Sequence, residues 1–318
     1  MTEARAFWTV APGRGELRTE TLRAPTDDKV RIRCLASGIS RGTEAIVFAG
    51  RVPPSQFDAM RAPLMGGAFP FPVKYGYSAV GLDTAGKRVF VLHPHQDIFD
   101  APAAMAIPVP DAVPTHRAVL AANMETALNV VWDAAPLPGE RICVIGAGVV
   151  GLLAAWLLAR IPATIVTVVD INPDRGEHAR ALGCRFAPIA PREQDLVVHA
   201  SGSEAGLRAA LDCAGFEARI IEASWFADDA PALPLGAAFH ARRLRLISSQ
   251  VGSVSPGMRG RRTHAERLAL ALSLLADPVL DRLLEPATPF EALPERMPVL
   301  LATGLCHVIT YGSQACTA

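Results

Sequence analysis

The sequence predicts an α/β protein in which a doubly wound parallel sheet is joined to a β-rich portion. Two observations support this fold class. Between residues 141 and 250, β-branched runs alternate with helical segments, as in parallel sheets with crossover helices. Residues 1–120 instead contain short runs of alternating apolar and polar side chains, separated by turn residues, which is typical of half-buried strands. We therefore predict one domain over 125–255 and a second over 1–124 with 256–318.

Composition limits the function classes. The 318 residues suffice for about two domains of ~100–200 residues each, and a hydrophobic fraction of 50% provides for a large core. The formal net charge is zero, so the chain has no general attraction to nucleic acid or to anionic membranes. The first residues lack the basic and apolar pattern of a secretory signal. We expect a cytoplasmic protein that acts on a small molecule.

The cysteines are scattered along the chain without a Cys-x-x-Cys pair. Most lie in apolar runs, so we expect reduced core thiols and no structural zinc site. These residues are Cys34, Cys143, Cys184, Cys213, Cys306 and Cys316.

A glycine-rich turn follows the first strand of the α/β region. Gly146, Gly148 and Gly151 have the G-x-G-x-x-G spacing of dinucleotide-binding sites. Gly146 permits a tight turn, Gly148 leaves room for a pyrophosphate at the backbone, and Gly151 lets the helix pack closely on the strand. The helix that begins with Val149 and Val150 presents free N–H groups and a partial positive charge to the phosphates.

Two other interpretations compete with a dinucleotide site. Residues 142–159 are uncharged and could pass for a membrane span, and a glycine-rich strand and helix can also be purely structural. The next apolar run, 163–170, argues against both because it ends in Asp170, about 20 residues after Gly151. This carboxylate can accept hydrogen bonds from ribose hydroxyls and repels a 2′-phosphate, so NAD(H) is favoured over NADP(H). Arg175 follows on the next helix, so NADP(H) remains an alternative cofactor. A solvated charge on the helix surface explains Arg175 at least as well.

The remaining elements follow from alternation, turns and helical runs. In the β-rich portion we predict strands at 4–10, 16–23, 29–37, 75–82 and 87–95, a turn and short helix at 38–46, a long loop at 50–72 and a helix at 116–133. After Asp170 we predict helices at 175–182, 203–214 and 265–276, and strands at 195–200, 218–225, 244–249 and 306–311.

Four motifs resemble the medium-chain dehydrogenase/reductase superfamily, which contains the zinc alcohol dehydrogenases. Residues 38–44 (Gly-Ile-Ser-Arg-Gly-Thr-Glu) are similar to its G-I-C-G-T/S-D turn, and residues 76–81 (Gly-Tyr-Ser-Ala-Val-Gly) to its G-H-E-x-x-G. Residues 86–89 match its G-D-R-V strand start, and 139–148 the beginning of its nucleotide domain. The first motif also resembles the bacteriochlorophyllide dehydrogenase branch. The resemblance implies a Rossmann domain, a discontinuous GroES-like catalytic domain, NAD(P)-dependent oxidoreductase activity and a homo-oligomer, expected to be a dimer.

The sequence departs from this family at the zinc ligands. A catalytic zinc needs a thiolate, an imidazole and a third Cys or Glu. The resemblance puts Ser40 at the Cys position, Tyr77 at the His position and Ala122 near the third ligand. Ser78 replaces the Glu that follows the histidine. A hydroxyl, a phenol and a methyl group cannot assemble a tetrahedral zinc site, so we predict that the chain binds no zinc.

Without a metal, the substrate oxygen still has to be polarised or protonated during hydride transfer. Tyr77 is the leading candidate because its phenol can donate a hydrogen bond, although filling the vacated ligand space is an alternative role. On the neighbouring turn, Ser40 is a catalytic candidate and Thr43 a proton relay. Arg41 could bind an anion, and Glu44 could brace the turn.

Two histidines, His93 and His95, flank a proline at the end of a predicted strand. Two histidines at this spacing could be metal ligands, but Pro94 breaks the strand pattern and no third histidine is near in sequence. His95 is therefore a candidate acid or base, with structural hydrogen bonding as the alternative.

Other residues complete the predicted cofactor site. By resemblance, Thr126 contacts the nicotinamide. Ser201, Ser224 and Ser248 follow predicted strands, at the sheet edge where ligands bind in this fold. The predicted function is zinc-independent, NAD(H)-dependent hydride transfer on an alcohol/carbonyl pair. NADPH-dependent reduction of an activated C=C bond and an inactive nucleotide-binding regulatory protein are the alternatives.

Overall fold

The computed structural model describes residues 1–312. Internal contacts divide the chain into a β-rich unit, formed by residues 1–122 with the chain after Arg267, and a nucleotide unit, formed by residues 123–267. The first boundary lies two residues before the predicted one. The second follows Arg267 instead of residue 255. Residues 313–318, with Cys316, lie outside the described part of the chain.

The second boundary differs from the prediction because of a buried arginine. Arg267 is 1% exposed. Its Nε donates to Glu125 Oε1 at 3.0 Å, and its Nη1 donates to Asn129 Oδ1 at 2.7 Å. Nη1 also donates to the carbonyl oxygen of Ser253 at 3.1 Å. These bonds hold the segment after Ser253 on the nucleotide unit, whereas its Gly- and Arg-rich sequence predicts only a connection.

The strands of the described chain are β1 (Thr2–Ala11), β2 (Arg14–Leu22), β3 (Lys29–Gly38), β4 (Gly66–Gly67), β5 (Val73–Lys74), β6 (Ala79–Leu82), β7 (Arg88–Val91), β8 (Ile98–Pro102), β9 (Ile107–Pro108), β10 (Arg141–Ile145), β11 (Ile165–Val169), β12 (Arg185–Ala187), β13 (Gln194–His199), β14 (Ala214–Glu222), β15 (Arg245–Ser248), β16 (Leu284–Pro289) and β17 (Cys306–Thr310). The α-helices are α1 (Arg41–Phe48), α2 (Thr115–Ala118), α3 (Ala121–Ala134), α4 (Val149–Leu158), α5 (Arg175–Ala181), α6 (Glu204–Cys213), α7 (His264–Leu274) and α8 (Leu293–Ala302).

Two sheets form the β-rich unit. The larger has the order β16-β17-β3-β6-β7-β9, with β8 also paired to β3, and the smaller has the order β2-β1-β5-β4. The strands pair antiparallel except for β16 and β17. In β3 the buried Ile32, Cys34 and Ala36 alternate with more exposed residues, as predicted for a half-buried strand. Ile32 and Cys34 share a core with Phe99 and Phe290.

Three predicted elements of this unit are shorter than expected. The strand predicted over 87–95 ends at Val91, after which the His93 N–H donates to the Val91 carbonyl oxygen at 2.8 Å. The strand predicted from residue 75 begins at Ala79, because Gly76 adopts a φ of +127° that an extended strand does not use. The helix predicted over 116–133 is interrupted between α2 and α3. At this break the carbonyl oxygen of Val119 accepts a hydrogen bond from the Ser78 hydroxyl. A carbonyl oxygen that accepts from a side chain 41 residues away in sequence lies at the interruption between the two helices.

The nucleotide unit contains one parallel sheet with the order β12-β11-β10-β13-β14-β15. From the central pair β10 and β13, the sheet continues through β11 to β12 on one side and through β14 to β15 on the other. Right-handed crossovers then put α4 and α5 on one face of the sheet and α6 on the opposite face. The prediction of a doubly wound sheet beside a β-rich domain is confirmed. Buried residues of the strands, such as Val197 and Ile220, pack against Leu211 of α6.

The uncharged run 142–159, which could pass for a membrane span, is a strand and a helix. The glycine turn separates β10 from α4, and α4 has only 10 residues. Within residues 1–312, no helix is long and apolar enough to cross a membrane.

Candidate functional site

The glycine turn lies between β10 and α4 and depends on residues without side chains. Gly146 has a φ of +105°, and a Cβ there would lie 2.6 Å from the backbone nitrogen of Ser201. A Cβ on Gly151 would overlap the carbonyl oxygen of Gly146. A Cβ on Gly148 would meet nothing within 4 Å. Two glycines thus permit close packing of the turn, and the third borders open space.

The predicted ribose-binding acid is held against this turn. Asp170 follows β11, and its Oδ2 accepts a hydrogen bond from the Ala147 N–H at 2.7 Å. Its Oδ1 accepts from the Asn172 N–H at 2.8 Å. A carboxylate offers about four lone-pair positions, so two remain for hydroxyl donors. Val149 and Val150 begin α4 and are half-buried.

The other predicted cofactor residues lie on several elements of the nucleotide unit. Arg175 begins α5, five residues after Asp170, and Thr126 is half-buried in α3. Ser201 follows β13, and Ser224 follows β14. Ser248 ends β15, where it is in register with Glu222 of β14.

Hydrogen bonds connect two of the three predicted serines. The Gly202 N–H donates to Ser224 Oγ at 3.0 Å. Ser201 Oγ lies 2.7 Å from His199 Nε2, and His199 Nδ1 lies 2.7 Å from Glu222 Oε2. The carboxyl ends of neighbouring parallel strands meet at one edge of the sheet, which explains this convergence.

In the β-rich unit the structure brings three predicted catalytic residues together. The Tyr77 hydroxyl donates to Ser40 Oγ at 2.6 Å, and the Thr43 side chain also hydrogen-bonds the phenol. Burial raises the pKa of Tyr77 to about 12, and the negative charge of Glu44 adds to this effect. The phenol is therefore protonated at neutral pH and can act as a hydrogen-bond donor.

The fourth predicted catalytic residue, His95, is connected to these residues through Glu44. Glu44 Oε1 accepts from the Ser40 N–H at 2.7 Å, and Oε2 lies 3.0 Å from His95 Nε2. A carboxylate only accepts, so Nε2 carries the hydrogen and Nδ1 accepts from the Ser37 hydroxyl at 2.7 Å. Ser37 Oγ also lies 2.8 Å from the Tyr311 hydroxyl.

We call the connected residues of this unit the polar network. Its members are Tyr77, Ser40, Glu44, His95, Ser37 and Tyr311. All except the half-buried Tyr77 are buried, so each hydrogen bond replaces one that water would otherwise make.

His93 has a different environment from His95. Its ring stacks on Phe99 with 3.7 Å between the ring centroids, and its Nδ1 donates to the Pro94 carbonyl oxygen at 2.9 Å. Burial lowers the pKa of His93 to about 3. Because one ring joins the apolar core and the other joins Glu44, the two histidines do not form a metal pair.

The side chains at the zinc-ligand positions do not fit a zinc ion. Ser40 and Tyr77 present a hydroxyl and a phenol, and Ala122 presents a methyl group. Among residues 1–312, no group of three or more His, Cys, Asp or Glu side chains is arranged to hold a metal. Arg41, considered as an anion-binding residue, donates its Nε to the Leu301 carbonyl oxygen at 3.0 Å, near the end of α8.

Among the comparisons with known proteins, one family model matches within the nucleotide unit, and two curated relatives match part of the chain. The sequence model of the alanine dehydrogenase/PNT C-terminal domain matches residues 123–217. An uncharacterized zinc-type alcohol dehydrogenase-like protein of Haemophilus influenzae is 31% identical over 150 residues, which cover 43% of this chain and 44% of that protein. A glutathione-independent formaldehyde dehydrogenase of Bacillus subtilis is 29% identical over 45% of this chain and 35% of its own length. The chain thus matches less than half the length of these curated relatives.

Solved structures match nearly the whole chain. A short chain alcohol dehydrogenase from E. coli CFT073, complexed with NADH, gives a TM-score of 0.77 at 16% identity, covering 98% of this chain and 100% of that chain. Benzyl alcohol dehydrogenase from Acinetobacter calcoaceticus gives 0.78 at 16% identity with the same coverage. A dehydrogenase from Sinorhizobium meliloti 1021 bound to NADP gives 0.76 at 15% identity, again with this coverage. The chain has the alcohol dehydrogenase fold.

Several residues that belong to the candidate sites were not predicted from the sequence. Ser37 and Tyr311 belong to the polar network, and His199 and Glu222 connect to Ser201. None of them lies in a recognisable motif. The only signal is a polar residue at the end of a buried strand, which many strands share. Glu44 braces the turn, as predicted, by accepting from the Ser40 N–H, whereas its contact with His95 was not predicted.

Proposed function

We propose that the chain is a zinc-independent oxidoreductase that uses NAD(H) and transfers hydride on an alcohol/carbonyl pair. The observation that carries the proposal is the Tyr77–Ser40 hydrogen bond of 2.6 Å, which joins two positions where the resembling zinc enzymes have metal ligands. A polar pair at these positions supports retained chemistry, since a lost site could equally have been filled with apolar side chains.

The residues of the nucleotide unit fit a dinucleotide. The space over Gly148 admits a pyrophosphate, the N–H groups at the start of α4 can bind it, and Asp170 can accept from ribose hydroxyls. A bound nicotinamide would accept or supply the hydride. The negative charge of Asp170 beside the turn supports NAD(H) over NADP(H).

Tyr77 takes the role of a proton donor in this proposal. Its pKa of about 12 keeps the phenol protonated at neutral pH, so it can polarise a carbonyl oxygen and then protonate the developing alkoxide. In the reverse direction the same oxygen would take the proton from the alcohol, so the proposal covers both directions. Ser40 and Thr43 orient the phenol.

Zinc independence is part of the same proposal. The relatives include a protein described as zinc-type, so the donor set of this chain has to carry the argument. Ser40, Tyr77 and Ala122 lack the thiolate and imidazole donors that a zinc alcohol dehydrogenase site uses. We also propose a small-molecule substrate, a cytoplasmic location and a homodimer.

Tyr77→Phe tests the assignment of the proton donor. A screen of ketones, aldehydes, quinones and enones with NADH, in excess EDTA, first identifies a substrate. Tyr77→Phe should then lower kcat by about 100-fold or more with little change in KM, because it removes one positioned acid. Tyr75→Phe is the matched control, since the Tyr75 hydroxyl makes only a long bond of 3.4 Å to the Met60 carbonyl oxygen.

Three results would contradict the proposal. An unchanged kcat in Tyr77→Phe would remove the phenol from the mechanism. Activity that requires added zinc would contradict the proposed zinc independence. Absence of turnover across the screen would favour a nucleotide-binding protein without catalysis, and turnover confined to enones or quinones would favour C=C reduction.

The cofactor assignment has its own test. Titration of the intrinsic fluorescence with NADH and with NADPH should give the smaller Kd for NADH, since Asp170 repels a 2′-phosphate. We expect a difference of about tenfold, which is about 1.4 kcal/mol. Tighter binding of NADPH would assign the main cofactor contact to Arg175 instead.

A further inference from the structure

A second group of reactive side chains lies at the carboxyl edge of the parallel sheet. His199 ends β13 and Glu222 ends β14, and the two residues are in register. Ser201 follows β13 after one residue. This group belongs to the nucleotide unit alone. Its serine is also a predicted cofactor-binding residue, whereas the proposed proton transfer uses Tyr77.

The three side chains form one ordered set of hydrogen bonds. Glu222 accepts from His199 Nδ1, with Oε2 at 2.7 Å and Oε1 at 2.9 Å. Because Nδ1 donates to this carboxylate, the neutral ring leaves Nε2 as an acceptor. The Ser201 hydroxyl lies 2.7 Å from Nε2 and is positioned to donate to it. The hydroxyl, the base and the orienting carboxylate are thus hydrogen-bonded in the same order as in sites that activate a serine nucleophile.

The surrounding backbone holds this arrangement. The Ser224 N–H donates to Glu222 Oε1 at 2.8 Å and fixes the carboxylate. A Cβ on Gly206 would overlap Ser201 Oγ and lie 2.8 Å from His199 Nε2, so α6 packs directly on the pair. The His199 side chain is fully buried, whereas Ser201 is exposed. The base is therefore shielded from water, whereas the serine lies at the surface, where its Oγ is also 2.9 Å from Ser203 Oγ and accepts from the Ser203 N–H at 3.3 Å.

We propose that Ser201, His199 and Glu222 form a serine acyl-transfer site that cleaves small carboxylic esters. In the first half, His199 Nε2 takes the Ser201 proton while Oγ attacks the acyl carbon, and the leaving alkoxide departs as an alcohol with that proton. In the second half, water attacks the acyl-serine and gives a proton to Nε2. That proton returns to Ser201 Oγ as the carboxylic acid leaves. One ester and one water thus give one acid and one alcohol.

The first turn of α6 can stabilise the negative oxygen that forms during each attack. An α-helix leaves its first N–H groups without acceptors inside the helix. In α6, the Gly206 N–H is capped by Ser203 Oγ at 3.1 Å, and Glu204 and Ala205 supply the preceding N–H groups. Glu204 and Ala205 lie three and four residues after Ser201 in the chain. Donors of this kind contribute a large share of catalysis in acyl transfer.

Covalent labelling tests the site without any nicotinamide, so its outcome is independent of the proposed oxidoreductase. The full chain is incubated with a small alkyl fluorophosphonate, and the labelled peptide is identified by mass spectrometry. Hydrolysis of p-nitrophenyl acetate is followed in parallel. We expect one label, on Ser201, and ester cleavage above the buffer rate. Protein unfolded by heat should give neither.

Three variants separate a catalytic serine from an exposed one. Ser201→Ala should lose both the label and the ester cleavage. Glu222→Gln should lower the labelling rate by about tenfold or more, because an amide donor at Nδ1 favours the wrong ring tautomer. Ser273→Ala, which removes another exposed hydroxyl, in α7, should match the unaltered chain.

A label on a residue other than Ser201 would overturn the proposal, and so would labelling of the unfolded chain at the folded rate. Equal rates for Glu222→Gln and the unaltered chain would also overturn it. Peptide mapping of the unaltered chain needs no variant, so the proposal stays testable even if Ser201→Ala does not fold.

Discussion

The glycine turn of the nucleotide unit and the polar network of the β-rich unit are specified in different ways. The turn is a property of the backbone, and its residues from Gly146 to Asp170 follow each other in one stretch of chain. The network is a property of side chains from stretches around Ser40, Tyr77, His95 and Tyr311. The turn is sensitive to atoms added where the backbone is closely packed, as at Gly146 and Gly151, whereas a side-chain network is sensitive to the loss of any partner.

Their tolerance to substitution follows from this contrast. At Gly151 an added methyl group would occupy the position of a carbonyl oxygen. At Glu44 a removed carboxylate would leave two buried donors without acceptors. Overpacking and unsatisfied polar groups are separate causes of instability, and each acts in one of the two units.

The largest effect is expected for Glu44→Ala. It leaves the Ser40 N–H and His95 Nε2 without acceptors, and each buried unpaired donor costs ~1–3 kcal/mol. Together with the vacated volume, this should lower the free energy of unfolding by about 4 kcal/mol, measured by urea denaturation at pH 7. Glu291→Ala is the control, because Glu291 is 52% exposed and pairs with Arg5 on the surface. The control should lose less than about 1 kcal/mol.

If Glu44→Ala lowers the free energy of unfolding by less than about 1 kcal/mol, the contrast between the network and the glycine turn is contradicted. This result would mean that the network rearranges as easily as a surface pair, so that its hydrogen bonds do not determine the local structure.

A second substitution pair examines the glycine turn. Gly151→Ala should lower the free energy of unfolding by about 3 kcal/mol, because the new Cβ overlaps the Gly146 carbonyl oxygen. Gly148→Ala faces open space and should cost less than about 1 kcal/mol, yet weaken NADH binding. Urea denaturation and NADH titration of both variants separate the two roles. Equal stability losses would show that the three glycines act as one structural group.

This contrast also explains how much could be predicted from the sequence. The doubly wound sheet followed from the alternation of strands and helices, and the three glycines revealed the turn because their spacing is fixed by local geometry. In the β-rich unit the sequence did not predict β4, β5, β8, β9, β16 or α8. Among the elements that were predicted, exceptions arose where Gly76 and the Ser78–Val119 hydrogen bond shortened a strand and interrupted a helix. Those exceptions depend on a local glycine conformation and on a contact between distant residues.

The polar network could be predicted only in part, for a physical reason. Ser40, Tyr77, Thr43 and His95 were chosen because their side chains can move protons, and resemblance suggested where two of them lie. The link through Glu44 to Ser37 and Tyr311 depends on how β3, α1 and β17 pack, which no local pattern encodes. The same holds for His199 and Glu222, which meet because their strands are neighbours in the sheet.

The smallest of the predicted stability effects concerns the other histidine beside the network. The folded His93 has a pKa of about 3 because of burial, against about 6.5 in the unfolded chain. Between these values only the unfolded chain takes up the proton, so the stability falls as the pH falls, by about 1.4 kcal/mol per unit. From pH 7 to pH 5 the loss should be about 2 kcal/mol. His93→Gln should remove this part of the pH dependence, so its free energy of unfolding should fall less over the same interval. Parallel curves for the two proteins would mean that His93 is accessible to protons in the folded chain, and that its stacking on Phe99 does not distinguish it from the histidine in the network.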